Sequence, residues 1–161
     1  MSIKTNAIRM LERAGVAFEL RQYHFDEEHF SAEGVAGELN MAPETVFKTL
    51  IARGDRIGHL FALLPSNCEL DLRALAAAAG DKRVEMVPLR DVLELTGYER
   101  GAVTALAAKR PYPVFIDESA TLWPAVAISA GARGLQIVLA PADLIRITDA
   151  RLADLTRSAG A

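Results

Sequence analysis

Few side chains in this sequence stand where their type and spacing suit chemistry, and Lys48 is the first of them. It lies within Val46-Phe47-Lys48-Thr49-Leu50-Ile51, a run with the apolar content of an interior strand. Side chains alternate along a strand, so Lys48 shares one face with Val46 and Leu50 while Phe47, Thr49 and Ile51 take the other. A lysine so placed either snorkels its ammonium to water or stands at the rim of a pocket as a fixed positive charge. Two small-residue stretches come next: Gly101-Ala102-Val103-Thr104 and Ser129-Ala130-Gly131-Ala132-Arg133-Gly134. Small residues let a ligand approach the backbone and leave N–H groups free to bind it. Each stretch also reads as an ordinary connection, a surface loop in the first case and a hairpin turn in the second. Arg133, bracketed by glycines, suits an anion. Tyr23, at the end of an alternating run, completes the set.

Other chemistries find less support. His24, His29, Asp26, Glu27 and Glu28 fall within six residues, but nothing in the sequence fixes their geometry as metal ligands require, and the stretch reads as a solvated acidic loop. Cys68 is the only cysteine, which excludes an internal disulfide and any multi-cysteine metal site. Its neighbour Glu69 disfavours a thiolate. No nucleotide-binding glycine fingerprint, zinc-protease motif or serine elbow occurs. No metal and no cofactor are expected.

The elements that must position these residues belong to one domain spanning residues 1–161, long enough to bury an ordinary core. With 51% hydrophobic and only 6% aromatic residues, that core is built from Ala, Leu, Val and Ile. A net charge of −3 gives no whole-protein attraction for nucleic acid, so any such contact must come from a local patch. No apolar run reaches the roughly 18 residues of a membrane span, and the first residues resemble neither a signal nor a transit peptide. A cytoplasmic protein with no membrane partner is expected.

Thr5 caps a first helix carrying Ala7, Ile8, Leu11 and Ala14 at helical spacing, and Val16 to Tyr23 alternates as a half-buried strand. Ser31 caps a second helix that stops at Asn40. The Lys48 strand and a strand from Ile57 to Leu64 flank turn residues and form a hairpin. Asp71 starts an alanine-rich helix ending at Gly80, Val84 to Val87 is a short strand, and Pro88 opens a helix ending at Thr96-Gly97. Strands follow at 114–116, 126–129 and 135–139. Pro141 to Ile145 is a turn or short helix, and a final helix is expected over about Ala150 to Arg157. Strands without a strict βαβ rhythm make this an α+β domain on a mixed or largely antiparallel sheet.

Val46-Phe47-Lys48-Thr49-Leu50, Leu70-Asp71-Leu72, Lys82-Arg83-Val84-Glu85-Met86, Thr96-Gly97-Tyr98 with Gly101, and Ser129-Ala130-Gly131 running into Arg133-Gly134-Leu135 resemble, in order and spacing, the YbaK family of aminoacyl-tRNA editing domains. The resemblance runs from Lys4 to about Asp154. With threonine after the lysine, the sequence is most similar to the freestanding cysteinyl-tRNA(Pro) deacylases.

This resemblance implies a mixed, partly barrel-like central β-sheet with flanking helices and a pocket for the 3′ aminoacyl-adenosine of a mischarged tRNA. Lys48 would be the essential lysine and Tyr23 the pocket tyrosine. Tyr23 and Thr49 would position the substrate. Gly101, Ala102 and Thr104, with Ser129 to Gly131, would line the site, and Arg133 would meet a phosphate. Gln136 stands where the best-known deacylases have an aspartate, and Ala102 where many relatives have glycine. The implied reaction needs no protein nucleophile, because the substrate cysteine thiol attacks its own ester carbonyl and leaves as a thiolactone. Editing of seryl- or alanyl-tRNA by water attack, and a non-catalytic RNA- or synthetase-binding module, remain open alternatives. An acidic protein binds tRNA weakly alone, so prolyl-tRNA synthetase is the expected partner, in a transient ternary complex.

Overall fold

In the computed structural model, which describes residues 4–158, five α-helices pack around three β-sheets. The first helix, α1 (Asn6–Arg13), is capped by Thr5, whose Oγ1 accepts the Ile8 N–H at 3.1 Å. Strand β1 (Phe18–Gln22) follows, then α2 (Ala32–Leu39), capped by Ser31 and closed by a left-handed Asn40. Strands β2 (Phe47–Gly54) and β3 (Gly58–Pro65) form the expected hairpin, with Lys48 opposite Leu64. Next come β4 (Cys68–Leu70), α3 (Leu72–Ala79) under its Asp71 cap, and β5 (Val84–Met86). A 3-10 turn at Leu89–Asp91 then runs into α4 (Val92–Thr96). The second half supplies β6 (Val114–Asp117), β7 (Val126–Ser129), β8 (Leu135–Leu139) and α5 (Pro141–Thr148), then β9 (Arg151–Ala153) and β10 (Thr156–Ser158).

The five-stranded sheet has the order β5-β2-β3-β6-β9 and is mixed: β2 runs antiparallel to β3 and β5, whereas β3–β6 and β6–β9 are parallel. The three-stranded sheet, β1-β8-β7, is antiparallel, and the stretch between Ser129 and Leu135 is its hairpin connection. The two sheets meet at a parallel bridge between Val46 and Ala127 and do not close into a barrel. Between them Leu11 and Leu144, from α1 and α5, pack with Phe47, Ile51, Phe61, Ile128 and Ile137. On the other face of the five-stranded sheet, Leu75 and Ala76 of α3 bury Leu60, Ala62 and Phe115. Each fully buried large side chain contributes about 1.5–3 kcal/mol.

The expected final helix is replaced by β9 and β10. The local pattern offered Leu152 and Leu155 at helical spacing, but long-range pairing wins. Strand β9 adds to β6 in parallel and β10 pairs with β4. Between them Leu155 is buried, and its N–H donates to the buried Asp117 carboxylate at 2.9 Å. Strand β4 was not foreseen either, for the same reason.

Candidate active site

The site lies where two strands part. Strands β2 and β7 touch at Val46 and Ala127, yet β5 joins the same edge of β2 only from Ala52 onward. Ser66 N–H donates to Val46 O at 2.8 Å, so even-numbered residues of β2 turn their backbone groups toward β3. Odd-numbered residues therefore turn theirs outward, as the Val87 N–H to Ile51 O bond on the opposite edge confirms. Thr49 is the odd residue left between β7 and β5, with its N–H and C=O facing the gap. Over that gap lies a cavity of about 520 Å³.

Of the residues expected at the site, the cavity brings together Lys48, Thr49, Gly101, Ser129 and Gln136. Lys48 is half-buried, and desolvation pushes its pKa below the ordinary 10.5 while negative charge on Cys68, as thiolate, and on Glu33 and Glu69 pulls the other way. No carboxylate approaches its ammonium within 4 Å among the described residues. Thr49 Oγ1 and Gln136 Oε1 are buried without a hydrogen-bond partner, and Gln136 is only 6% exposed. A buried polar atom left unpaired costs about 1–3 kcal/mol; Gln136 Oε1 is an acceptor in want of a donor, and the Thr49 hydroxyl, able to donate and to accept, has neither partner.

Gln136 owes its position to β8, where it lies opposite Ser129 of β7 and Arg21 of β1. Tyr23 stands behind the cavity lining. Its hydroxyl donates to Gly101 O at 3.4 Å. Burial raises the phenol pKa above 10.0, with hydrogen bonds from Gly134 and Gln136 opposing, so at neutral pH it is a donor.

Three expected contacts take a different form. Ala102 is buried, and its N–H closes a turn onto Glu99 O at 2.9 Å, so it is not a free donor toward the cavity. Thr104 is buried beneath the site, where its hydroxyl accepts the Leu106 N–H. Arg133 lies outside the cavity lining: its Nε donates to Arg100 O at 2.9 Å and its guanidinium stands 4.6 Å from the centre of the Phe25 ring. Glu99 at 3.5 Å and Glu27 at 3.7 Å add charge pairing. Gly131 supports from behind, its N–H donating to Ser129 Oγ at 3.2 Å. The loop that holds Ser129 and Gly131 is tied down by Thr5, whose hydroxyl donates to Ala130 O at 2.6 Å.

Phe30, Glu33 and Arg100 also line the cavity and were not foreseen. Arg100 stands over the Phe30 ring at 5.6 Å, and Phe30 packs on Phe25 at 5.2 Å. Two arginine–aromatic contacts thus latch the 24–30 loop, Arg100 to the turn at Gly101 and Arg133 to the connection between β7 and β8. Their only signal in the sequence was the position of Arg100 beside Gly101. His24 and His29 are not at the cavity, and no cluster of three or more His, Cys, Asp or Glu side chains fit to hold a metal occurs among the described residues.

A half-buried lysine in a cavity over a strand gap, with unpaired polar atoms in the residues that line it, on this open α+β framework, defines a class. The model of the aminoacyl-tRNA editing domain matches residues 26–147, and the chain belongs to that family. It is accordingly an aminoacyl-tRNA deacylase that acts on mischarged aminoacyl-tRNA. An Enterococcus faecalis protein named "Putative Cys-tRNA(Pro)/Cys-tRNA(Cys) deacylase EbsC" is 40% identical over 153 residues, covering 95% of this chain and 93% of that protein. Among solved structures, one titled "putative trans-editing enzyme for prolyl tRNA synthetase" superposes with a TM-score of 0.82 at 24% identity, covering 98% of this chain and all of that one. A hypothetical protein matches with a TM-score of 0.85 at 21% identity over 95% of this chain and 100% of its own. Both share the fold. No helix among the described residues is long and apolar enough to cross a membrane.

Proposed function

We propose that this chain, acting in trans as one editing domain over residues 1–161, releases cysteine from Cys-tRNA(Pro). The observation that carries the reading is a cavity with a half-buried lysine and no activated protein nucleophile. Ser129 Oγ has no histidine or carboxylate partner among the described residues. Cys68 does not line the cavity, and burial raises its thiol pKa above 9.0. The nucleophile then comes from the substrate. The cysteine sulfur bonds to its own ester carbonyl carbon, the bond from that carbon to the ribose oxygen breaks, and that oxygen takes the thiol proton. A thiolactone and free tRNA result.

The protein supplies position and charge. Lys48, at the cavity, and the outward Thr49 N–H are the donors assigned to the reacting carbonyl, and one preorganised donor to a developing oxyanion gives about 2.7–4 kcal/mol. The confined cavity holds the thiol near its carbonyl, which lowers the barrier by pre-ordering. Gly101 and Ser129 bound the space, and Tyr23 sets the Gln136 side of it. The relative named for Cys-tRNA(Pro)/Cys-tRNA(Cys) deacylation supports the substrate class. With a net charge of −3, the chain gains little from phosphate neutralisation, and we include prolyl-tRNA synthetase as the partner that delivers the tRNA.

The test is release of labelled cysteine from Cys-tRNA(Pro) by the wild type and Lys48→Ala, with Ser- and Ala-tRNA(Pro) alongside. Loss of cysteine release on mutation is expected; an unimpaired, folded Lys48→Ala protein refutes the reading. Equal rates with and without the synthetase at physiological salt would remove the partner. A second reading rests on the unpaired polar atoms Thr49 Oγ1 and Gln136 Oε1. If a small side-chain movement opens either of these buried atoms to the cavity, a water or a serine hydroxyl can pair with it, and serine or alanine is then released by water attack while cysteine is spared.

A further inference from the structure

Six large apolar side chains are exposed among the described residues, and three of them fall together: Met86 at 43%, Leu89 at 63% and Leu93 at 59%. Met86 and Leu89 border the Lys48 cavity. Leu93 follows four residues on, where the 3-10 turn that carries Leu89 has passed into α4. An apolar shelf therefore starts at the cavity rim and continues along α4. Leu20, Leu122 and Leu152, the other three, do not border the cavity. Two cations flank the shelf. Arg90 lies between its leucines and Arg100 lines the cavity, and neither has a carboxylate within 4 Å among the described residues.

We propose that Met86, Leu89 and Leu93 form a track for the unpaired nucleotides that precede the terminal adenosine of the tRNA, with Arg90 and Arg100 meeting their phosphates. The proposal rests on the reading of the cavity as the seat of the aminoacyl-adenosine. A strand whose last nucleoside sits in the cavity must cross the rim, and the shelf is continuous with that rim. Base faces stack on apolar and guanidinium surfaces without regard to sequence, which suits an end common to all tRNAs. Three side chains offer far less than the roughly 800 Å² per partner of a stable protein interface, so a narrow strand fits better than a folded partner. Glu85, Asp91 and Glu94 share the segment and prevent a broad positive field. Affinity accordingly depends on stacking and on about two phosphates.

The experiment measures binding of an uncharged, 5′-fluorescein-labelled single-stranded RNA ending in ACCA to the full chain by fluorescence anisotropy at low salt. Leu89→Asp and Leu93→Asp are each expected to weaken binding at least fivefold, and Leu122→Asp, on an exposed turn away from the cavity, to bind as wild type does. Arg90→Ala is expected to lower the salt dependence by about 0.7 in slope, the share of one phosphate. Equal affinity of the wild type, Leu89→Asp, Leu93→Asp and Leu122→Asp overturns the track, whatever the deacylation assay shows. Unchanged RNA affinity together with a loss of deacylation seen only when synthetase is present also overturns it, assigning the shelf to a protein partner. Shelf-dependent RNA binding by a wild type that deacylates nothing supports the track and removes the proposed reaction instead.

Discussion

Replacing Gly101 by alanine tests whether the latch above the cavity is built on a missing side chain. Gly101 has φ +88°, and a Cβ there would stand 2.5 Å from Phe25 Cε2 and 3.1 Å from Cζ. Ordinary carbon contacts lie near 3.5–4.0 Å, so the ring must move by roughly 1 Å. It is not free to do so, because Arg133 lies over it and Phe30 packs against it. The left-handed backbone costs an L-residue about 1–2 kcal/mol, and overpacking adds about 1–3 kcal/mol. Gly58→Ala is the control: its φ is +80°, but nothing lies within 4 Å of the added Cβ. Urea unfolding is expected to show Gly58→Ala down by the backbone cost alone and Gly101→Ala lower by a further 1–3 kcal/mol or so. Phe25→Leu added to Gly101→Ala should recover part of that difference in a double-mutant cycle. Deacylation should fall in Gly101→Ala and persist in Gly58→Ala. Equal destabilisation of the two, within about 0.5 kcal/mol, would refute the latch.

Lys48→Met should lower kcat by about 10²–10³, the range for one lost oxyanion donor, without loss of stability at pH 7. The sign follows from linkage: the folded-state pKa of Lys48 lies below its ordinary 10.5, so between the two values the unfolded chain binds more protons and stability rises with pH. Below that window the burial penalty is fully present, and methionine removes it; stability curves that rise equally through the alkaline range in both proteins would contradict this. Asp117→Ala should cost about 2–5 kcal/mol, because the buried carboxylate accepts from Ser119 N–H, Ser119 Oγ–H and Leu155 N–H. A melt showing under about 1 kcal/mol of loss would mean the β6 to β10 connection is held otherwise. Gln136→Asp should change the ratio of cysteine to serine release at least tenfold, read by parallel single-turnover assays, and an unaltered ratio would remove this position from substrate selection.

How far the sequence could be read depended on the range of the interactions involved. Thr5, Ser31 and Asp71 announced their helices because an N-cap acts within three residues, and all three bonds form. Turn chemistry likewise announced the hairpin of β2 and β3. The last segment misled because Leu152 and Leu155 carry a helical spacing whose local preference is overruled by β6 and β4, strands far away in sequence. At the site, Lys48 was legible as a charge in the middle of an apolar strand, and Thr49 only through the family resemblance. Phe30 and Arg100 were not, since an aromatic after an acidic loop and a cation in a turn acquire meaning only when folding sets one over the other.

The same contacts explain why the two glycine-bearing loops divide their labour. Arg133, bracketed by glycines, has the composition of an anion binder. Its Nε is nevertheless committed to the Arg100 carbonyl and its guanidinium to Phe25, with two acidic side chains beside it. Such a group is poorly placed to trade these partners for a phosphate, because the 24–30 loop would lose its anchor. What Arg133 fixes is the Arg100 backbone, and with it the turn whose next residue, Gly101, lines the cavity. Arg100 keeps its own side chain at the cavity, over the Phe30 ring and with no carboxylate within 4 Å among the described residues, a ring contact worth about 0.5–1 kcal/mol at an exposed site. Both arginines therefore hold the 24–30 loop, Arg133 by a hydrogen bond, two charge pairs and a ring contact and Arg100 by its ring contact, which leaves the Arg100 guanidinium the freer of the two to meet an anion.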